Sequence, residues 1–397
     1  MKFSTTQQVK QLLLRHILDG QFPEQKPLPT IRLLAKTLGV SIPTAHKAVN
    51  LLCKDGILRA KNRRGVFINT VAHRTSGTDK VGLVHLYPAS VRVGMPWPVK
   101  VLKALTQRLK SLRFECVEIP LLGVEKLNLE HCFKRHSLRG LILFEMQTDL
   151  FISECQALLL PMVSIDHNAF HLGVSSVVFD NAFGTFQATQ RLLRRGHRRI
   201  AFLRPLVKTQ LWGRVLLDQT ESERQLGYEM AMKDAELQPW VVEYEDSLIQ
   251  KEGVALAEKI LKDLGAAGAF PTALVFPNDP SAMLFARAAL GLGLRIPEDL
   301  SVVGFGDVGT EFAPGRRISS VRIADVEMGQ AAADLFAALI SGKLPRPVLK
   351  TIRTQGAPHE SDGAPRPPRT RLVLGSPHAP REEPVARFTV AASSRGA

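Results

Sequence analysis

From Lys80 onward, short apolar runs alternate with amphipathic stretches, and this alternation limits the fold more than any other feature of the 397 residues. "KVGLVHL", "FECVEI", "RGLILF", "MVSID", "SVVFD", "RIAFL", "TALVF" and "LSVVGF" each have the length of a strand rather than a helix. Helix-period stretches separate most of them: Val99–Leu112, Ala182–Arg194, Glu221–Ala235, Gly253–Leu264, Pro280–Gly291 and Val326–Ile340. Wholly apolar strands joined through helices mean parallel sheets covered on both faces. The region 80–354 is longer than one such sheet usually holds, so two α/β lobes are expected.

The N-terminal region reads differently. Val9, Leu12, Leu13, Ile17 and Leu18 recur at helical spacing up to Gly20. Prolines 23, 27 and 29 interrupt the pattern, and Thr30 then caps a short helix with Leu33, Leu34 and Leu38 inward and Gly39 at its end. Ser41 caps a third helix, which Pro43 in its first turn tolerates. "GILRAKNRRGVFI" predicts two strands around a basic turn, with Gly65 at the tip. The result is a winged helix-turn-helix over residues 1–70, a small α+β domain. Ala45, Ala48, Val49 and Leu52 form the inward stripe of the third helix, leaving Thr44, His46, Lys47 and Asn50 outward as hydrogen-bonding groups for phosphates or base edges. Arg63 and Arg64 in the wing could enter a minor groove or clamp a phosphate, and Arg32 could approach the backbone. Residues 1–74 carry 13 Lys and Arg against 3 Asp and Glu, most of the chain's net +15. A basic small domain beside a near-neutral large one suggests a polyanion partner. The plainer alternative is a small helical domain whose polar face merely solubilises it.

Residues 71–79 are polar and unpatterned and are read as a linker. The tail, 355–397, is rich in Pro, Gly and charge and is expected to be mostly disordered, with "TRLVLGS" at 370–376 as an apolar piece able to pack on the preceding domain.

Gly304, Gly306 and Gly309 spell G-x-G-x-x-G directly after an apolar run, which raises a dinucleotide site. The context is wrong. Pro314 and Gly315 break any helix that should follow, "SSVRI" reads as another strand, and Asp325 reads as the N-cap of the last helix. What remains is a loop at the end of an α/β strand, where ligands bind. Polar residues stand at comparable points: Asp166 and His167, Asp180 and Asn181, Asn278 and Asp279, and Asp307. Carboxylates accept from hydroxyls and Arg224 can donate a fork of hydrogen bonds, so a hydroxyl-rich small molecule, a sugar or related polyol, suits the set. Each acid could equally be a helix cap or turn former, Asn181 and Asp279 above all.

Cys53, Cys116, Cys132 and Cys155 form no C-x-x-C pair, and buried free thiols in a reducing compartment are the expectation. The start lacks the apolar core of a signal peptide and no run of 18 apolar residues exists, so a cytoplasmic protein without membrane contact is expected. No H-E-x-x-H, G-x-S-x-G or P-loop appears, and neither a cofactor nor a metal is expected. Two readings compete with a DNA-binding regulator: an NAD-dependent or other enzyme on the α/β region, and a ligand-binding receptor with no DNA role.

"LPTIRLLAKTLGVSIPTAHKAVNLLCKDGILRAKNRRGVFI" resembles the winged helix of GntR-type bacterial transcription regulators, over about residues 8–69. The resemblance implies that Arg32, the start of the third helix (Ser41, Thr44, His46, Lys47) and the wing (Arg63, Arg64, Gly65) touch DNA. It departs from the family at Ile42 and His46, where arginines are usual. "VVFDNAFGTFQATQRLLRRGHRRIAFL", "SERQLGYEMAM", "TALVFPNDPSAMLFARAALGLGLRIPEDLSVVGFGDV" and "ISSVRIADVEMGQAAADLF" resemble the effector domain of LacI/GalR-type repressors, a two-lobed periplasmic-binding-protein-like (type I) fold, over about residues 80–352. That implies effector contacts from Arg224, His167 and the acid after G-F. Here Gly306 follows G-F and Asp307 comes one place late. The insertion "VKTQLWGRVLLDQTE" and the loop "YPASVRVGMPW" are individual to this chain. The combination implies a hybrid regulator: a homodimer on a palindromic double-stranded DNA operator, in which effector closes two lobes and thereby changes DNA fit.

Overall fold

The computed structural model describes residues 6–18, 21–22, 26–54, 58–61, 64–68, 79–85, 96–120, 138–145, 149–156, 158, 160–206, 210–211, 214–215, 219–245, 253–266, 270–309, 311–344, 347–365 and 388–389. Arg63, Cys132, the linker before Asp79, most of "YPASVRVGMPW", much of the insertion after Leu206 and the "TRLVLGS" piece lie outside them.

Helices α1 (Thr6–Leu18), α2 (Ile31–Leu38) and α3 (Ile42–Lys54) precede an antiparallel hairpin of β1 (Leu58–Lys61) and β2 (Gly65–Ile68). Every helix contributes to one apolar cluster: Val9, Leu13 and Ile17, then Leu34 and Leu38, then Ala48, Val49 and Leu52, with Leu58 and Ile68 from the hairpin. The 3.6-residue period put these side chains on facing stripes. Leu33 departs from the expected inward set, being 52% exposed, because Leu34, Ala35 and Leu38 already fill that face of a helix only two turns long. Gly39 ends α2 in the left-handed conformation, with its N–H and that of Val40 returning to Lys36 and Ala35 carbonyls. The hairpin register sets Lys61 opposite Gly65, and Leu28 N–H donates to Val66 O at 2.7 Å, tying the wing to the chain ahead of α2.

Beyond the wing the chain forms β3 (Lys80–His85), α4 (Pro96–Ser111), β4 (Glu115–Pro120), β5 (Gly140–Phe144), α5 (Asp149–Gln156), β6 (Met162–Ile165) and β7 (Ser175–Phe179). There follow α6 (Asn181–Arg194), β8 (Ile200–Leu206), the small pair β9 (Gln210–Leu211) and β10 (Arg214–Val215), α7 (Gln219–Asp234), β11 (Trp240–Glu245), α8 (Val254–Ala266), β12 (Ala273–Val275) and α9 (Asp279–Gly291). Last come β13 (Ser301–Val303), β14 (Glu311–Ala313), β15 (Arg316–Arg317), β16 (Ser320–Arg322), α10 (Asp325–Ile340), β17 (Leu349–Ile352), β18 (Gln355–Ala357) and β19 (Phe388–Thr389). One sheet has the order β17-β7-β6-β5-β3-β4 and the other β13-β12-β8-β11-β19, and the pairings of β3 to β7 and of β8, β11, β12, β13 and β19 are parallel. The chain divides into two compact units: Met1–Ala89 with Lys103–Val177 and Gly329–Lys350, and Ser90–Leu102 with Val178–Met328 and Thr351–Ala397. In the first, β3 and β5 are buried almost throughout. In the second, Leu203, Val242, Phe276, Phe285 and Val302 belong to one core.

The tail expectation needs correction at its start. Residues 355–363 are not loose: β18 pairs antiparallel with β16, Val302 N–H donates to Ser361 O at 2.7 Å, and Ser361 is fully buried. Their ordering comes from side-chain anchors rather than apolar periodicity, which is why a composition rich in Gly, Pro and charge hid them. Strand β11, "WVVEYE", is a strand that apolar runs alone do not mark, because two glutamates and a tyrosine interrupt its apolar residues. Of the cysteines, Cys155 is buried while Cys53 and Cys116 are half-buried, and burial with nearby Glu118 pushes the Cys116 thiol up to about 12. No helix among the described residues is long and apolar enough to cross a membrane.

Candidate nucleic-acid interface and effector residues

Ser41 Oγ accepts from Thr44 N–H at 3.2 Å and lies 2.7 Å from Thr44 Oγ1, so the predicted cap of α3 is present and absorbs part of both hydroxyls. Beyond this cap Ile42, His46, Lys47 and Asn50 are exposed, Thr44 is half-buried, and Ala45, Ala48, Val49 and Leu52 are buried. Asn50 Nδ2 stands 3.4 Å from His46 Nδ1. Arg32 on α2 and Arg64 in the wing are exposed. Lys61 Nζ lies 4.8 Å from the centre of the Phe67 ring, a cation–π contact within the wing. The turn is held by Arg64 N–H to Lys61 O at 2.9 Å. Gly65 has φ +102°, and a Cβ there would come within 3.0 Å of Pro27 Cβ, so backbone freedom and space both demand glycine. The face offers donors and positive charge on a rigid scaffold.

The α/β residues are a different case. In the first unit Asp166 and His167 follow β6, and Asp166 adopts φ +62°. His167, 5% exposed, donates from Nε2 to Asp149 Oδ1 at 2.9 Å, while His171 reaches Asp149 Oδ2 at 2.8 Å. Burial alone would raise the Asp149 carboxyl; the hydrogen bonds from both imidazoles outweigh it and hold the group below its ordinary range.

In the second unit Arg224 donates from Nε to Asn181 Oδ1 at 3.0 Å and from Nη1 to Pro277 O at 2.7 Å, and its guanidinium lies 4.0 Å from the centre of the Phe305 ring. Asn181 Nδ2 in turn donates to Glu223 at 2.9 Å. Arg224 is thus clamped on two edges and one face, with Nη2 making no hydrogen bond among the described residues. Asn278, not Asp279, caps α9: its Oδ1 accepts from Ser281 N–H at 2.9 Å. Asp279, 1% exposed, accepts from Ser320 Oγ at 2.7 Å and from Val308 N–H at 3.0 Å. Burial, which those bonds only partly offset, pushes its carboxyl above the usual range. A Cβ on Gly304 would lie 2.2 Å from Asp279 Oδ1, so the first glycine of G-x-G-x-x-G makes room for this carboxylate rather than for a pyrophosphate. The loop then runs into the β14–β15 turn at Pro314 and Gly315, not into a helix.

Asp307, predicted as an effector contact, is surrounded by protein partners. Arg317 Nη2 and His359 Nε2 each lie 2.9 Å from Oδ1, and Arg322 Nε lies 2.6 Å from Oδ2. Burial works to raise its pKa, but His359 and Arg322 prevail and hold it low. His359 belongs to the anchored start of the tail. Beside it, Asp362 is wholly enclosed and binds Arg191, Arg195 and Ser319. His197, from "RRGHRRIAFL", joins Thr272 Oγ1 and Gly363 O, each at 2.8 Å, and burial lowers its pKa so that the neutral ring donates from Nε2. Sequence reasoning missed Asn181 as the partner of Arg224, Phe305 as its platform, and Asp149, His359 and Asp362 altogether. The only sequence signal was an acid or amide at a strand end, and nothing in the spacing named the partners.

Residues 5–68 match the family model of bacterial regulatory proteins of the gntR family, and residues 189–358 match the periplasmic binding protein-like domain. The chain is 27% identical to the arabinose metabolism transcriptional repressor of Geobacillus stearothermophilus, over 84% of this chain and 90% of that one. It is 32% identical to the HTH-type transcriptional regulator GntR of Escherichia coli K12, over 44% of this chain and 48% of the relative. Among solved structures, the transcriptional regulator CelR–cellobiose complex superposes with a TM-score of 0.59 at 22% identity, covering 84% of this chain and all of that one. The lac repressor dimer bound to operator and the anti-inducer ONPF gives 0.59 at 20% identity, covering 77% and 100%.

Proposed function

We infer that this chain, in which a gntR-family helix-turn-helix domain precedes a periplasmic-binding-protein-like domain, is a DNA-binding transcriptional repressor controlled by a small-molecule effector. The observation that carries the reading is the exposed side of α3, capped by Ser41, in a chain whose first 74 residues carry 13 basic against 3 acidic side chains. Arg32, Ser41, Thr44, His46, Lys47, Arg64 and Gly65 are the DNA-contact set, with Arg63 added from sequence. Lys47, Arg32 and Arg64 neutralise phosphates; Thr44 and His46 address base edges.

The effector is a carbohydrate or similar polyol. Support comes from Arg224, whose Nη2 makes no hydrogen bond among the described residues while Nε, Nη1 and one face of the guanidinium are engaged, and from relatives whose names or complexes carry arabinose and cellobiose. His167, whose Nε2 already donates to Asp149, belongs to a frame within the first unit. Asp279, Asn278 and Asp307 serve instead as the frame that holds the Phe305 loop, because their oxygens are already accepting. The protein works as a homodimer, as a palindromic operator requires, and makes or breaks no covalent bond. An enzyme or a receptor without a DNA role is the competing class.

Two measurements test this. A thermal-shift screen of sugars and nucleosides should give a stabilising ligand. That ligand should change duplex affinity by about 5- to 150-fold. Arg224→Ala should lose the shift and keep ligand-free DNA binding. Turnover of a nicotinamide substrate, or ligand binding with no affinity for any duplex, would favour the competing class.

A further inference from the structure

We propose that Ile42 reads the C5-methyl group of a thymine in the major groove, so that each operator half-site carries an A·T pair facing the start of α3. This rests on the DNA-binding reading above and names a base that reading leaves open.

Ile42 is the first residue of α3, next to the Ser41 cap, and it is 49% exposed. It belongs neither to the domain's apolar cluster nor to the partly buried side chains packed against it. The fold therefore gives no reason for isoleucine at this position. Its neighbours do. Residues four apart share a helix face, so Ile42, His46 and Asn50 lie on one stripe, and the 3.4 Å approach of Asn50 to His46 bears out that alignment. Exposed Lys47 and, from the wing, Arg64 add positive charge. A partner that complements such a surface is a polyanion with hydrogen-bonding edges.

Duplex DNA meets both conditions, and in its major groove the apolar feature that distinguishes one base from the rest is the thymine methyl. The side chain is stiff at χ1, so it presents a fixed methyl surface with little entropy to lose. An arginine here would favour guanine O6 and N7; isoleucine has no donor and turns the preference to thymine. Four residues of helix rise about 6 Å, so the base pairs facing Ile42 and His46 should lie about two steps apart.

The test begins with a duplex selected from a random pool by the full chain. Each thymine is then replaced by deoxyuridine, which lacks only the methyl group. A substitution in one half-site should weaken binding about three- to fivefold, the scale of one methyl contact, and a substitution in both about ten- to twenty-five-fold. Ile42→Ala should bind the parent duplex more weakly by a similar factor and respond to no deoxyuridine at that position. Ile42→Arg should move selection from thymine to guanine there. Both variants sit at an exposed site, and their melting temperatures should match the parent protein. If every deoxyuridine duplex binds as the parent does, or if Ile42→Ala keeps the same sensitivity, the proposal is wrong while the DNA reading survives. If no duplex is enriched at all, the DNA reading fails and the inference goes with it.

Discussion

In the N-terminal domain the candidate functional side chains stand on the surface of a scaffold that is held together without them. In the second α/β unit nearly all of them are bonded to other protein groups. Arg32, His46, Lys47 and Arg64 are exposed, and the apolar cluster beneath them contains none of the four. Asp279, Asn278 and Asp307, by contrast, each accept two or more hydrogen bonds or complete a helix cap. The difference follows from the partner each must meet. A polyanion attracts at range and needs exposed charge. A small ligand needs a few donors at fixed positions, and fixing them in a partly buried loop takes a network in which the other polar groups are satisfied.

Substitutions should therefore separate the two regions. The largest effect is expected at Asp362, whose wholly enclosed carboxylate holds Arg191 and Arg195. Asp362→Ala should destabilise the second unit by about 3–5 kcal/mol, read by chemical denaturation, because two cations lose their buried partner. The pH dependence has a definite sign. Asp362, Asp307 and Asp149 are held below their ordinary values, so they add stability above the unfolded value near about 4 and lose it as pH falls through their folded values. Asp279 is raised and acts oppositely, favouring the fold at low pH and losing that contribution as pH rises through its folded value. Acid unfolding should be steeper in the parent protein than in Asp362→Asn.

Next in size is Gly65→Ala, which forces a side chain into a left-handed backbone beside Pro27. A loss of about 1–3 kcal/mol in the N-terminal domain is expected, with weaker DNA binding and unchanged effector binding. An equal loss of both functions would show that the wing is not a separable part. Lys47→Ala with Arg64→Ala should leave the melting temperature within a degree or two and weaken duplex binding about tenfold. The slope of log affinity against log salt should fall by roughly four, one for each of the two phosphate contacts in each half-site. Smallest is Ser41→Ala, which removes the α3 cap for about 1 kcal/mol and a modest drop in affinity.

The same contrast explains what could be read in advance. The winged helix was legible because each of its devices is local. Thr30, Gly39 and Ser41 act within four residues of themselves, and the buried stripe Ala45, Ala48, Val49 and Leu52 repeats with the helix. The parallel strands were legible from their apolar runs for similar reasons. The frame around Arg224 was not, since Asn181 lies 43 positions away and Pro277 lies 53 positions away in the chain. His359 and Asp362 were hidden further, in a segment whose Pro- and Gly-rich composition reads as disorder. Their order depends on Asp307, Ser319 and Arg191, which no short-range pattern links to them. Leu33 shows the converse limit: helical spacing proposed it for the core, but a two-turn helix had room for only three buried side chains.

On the proposed function, the basic N-terminal domain binds duplex DNA and ligand binding in the α/β region sets how tightly. Fluorescence anisotropy of a labelled, selected duplex, titrated with the full chain at rising salt with and without a ligand found by thermal shift, tests it most directly. Binding at nanomolar to micromolar strength that falls linearly on a log–log plot is expected, with a ligand-induced displacement of the whole line. No binding at low salt, or two superimposed lines in the presence and absence of a ligand that demonstrably binds, would contradict it.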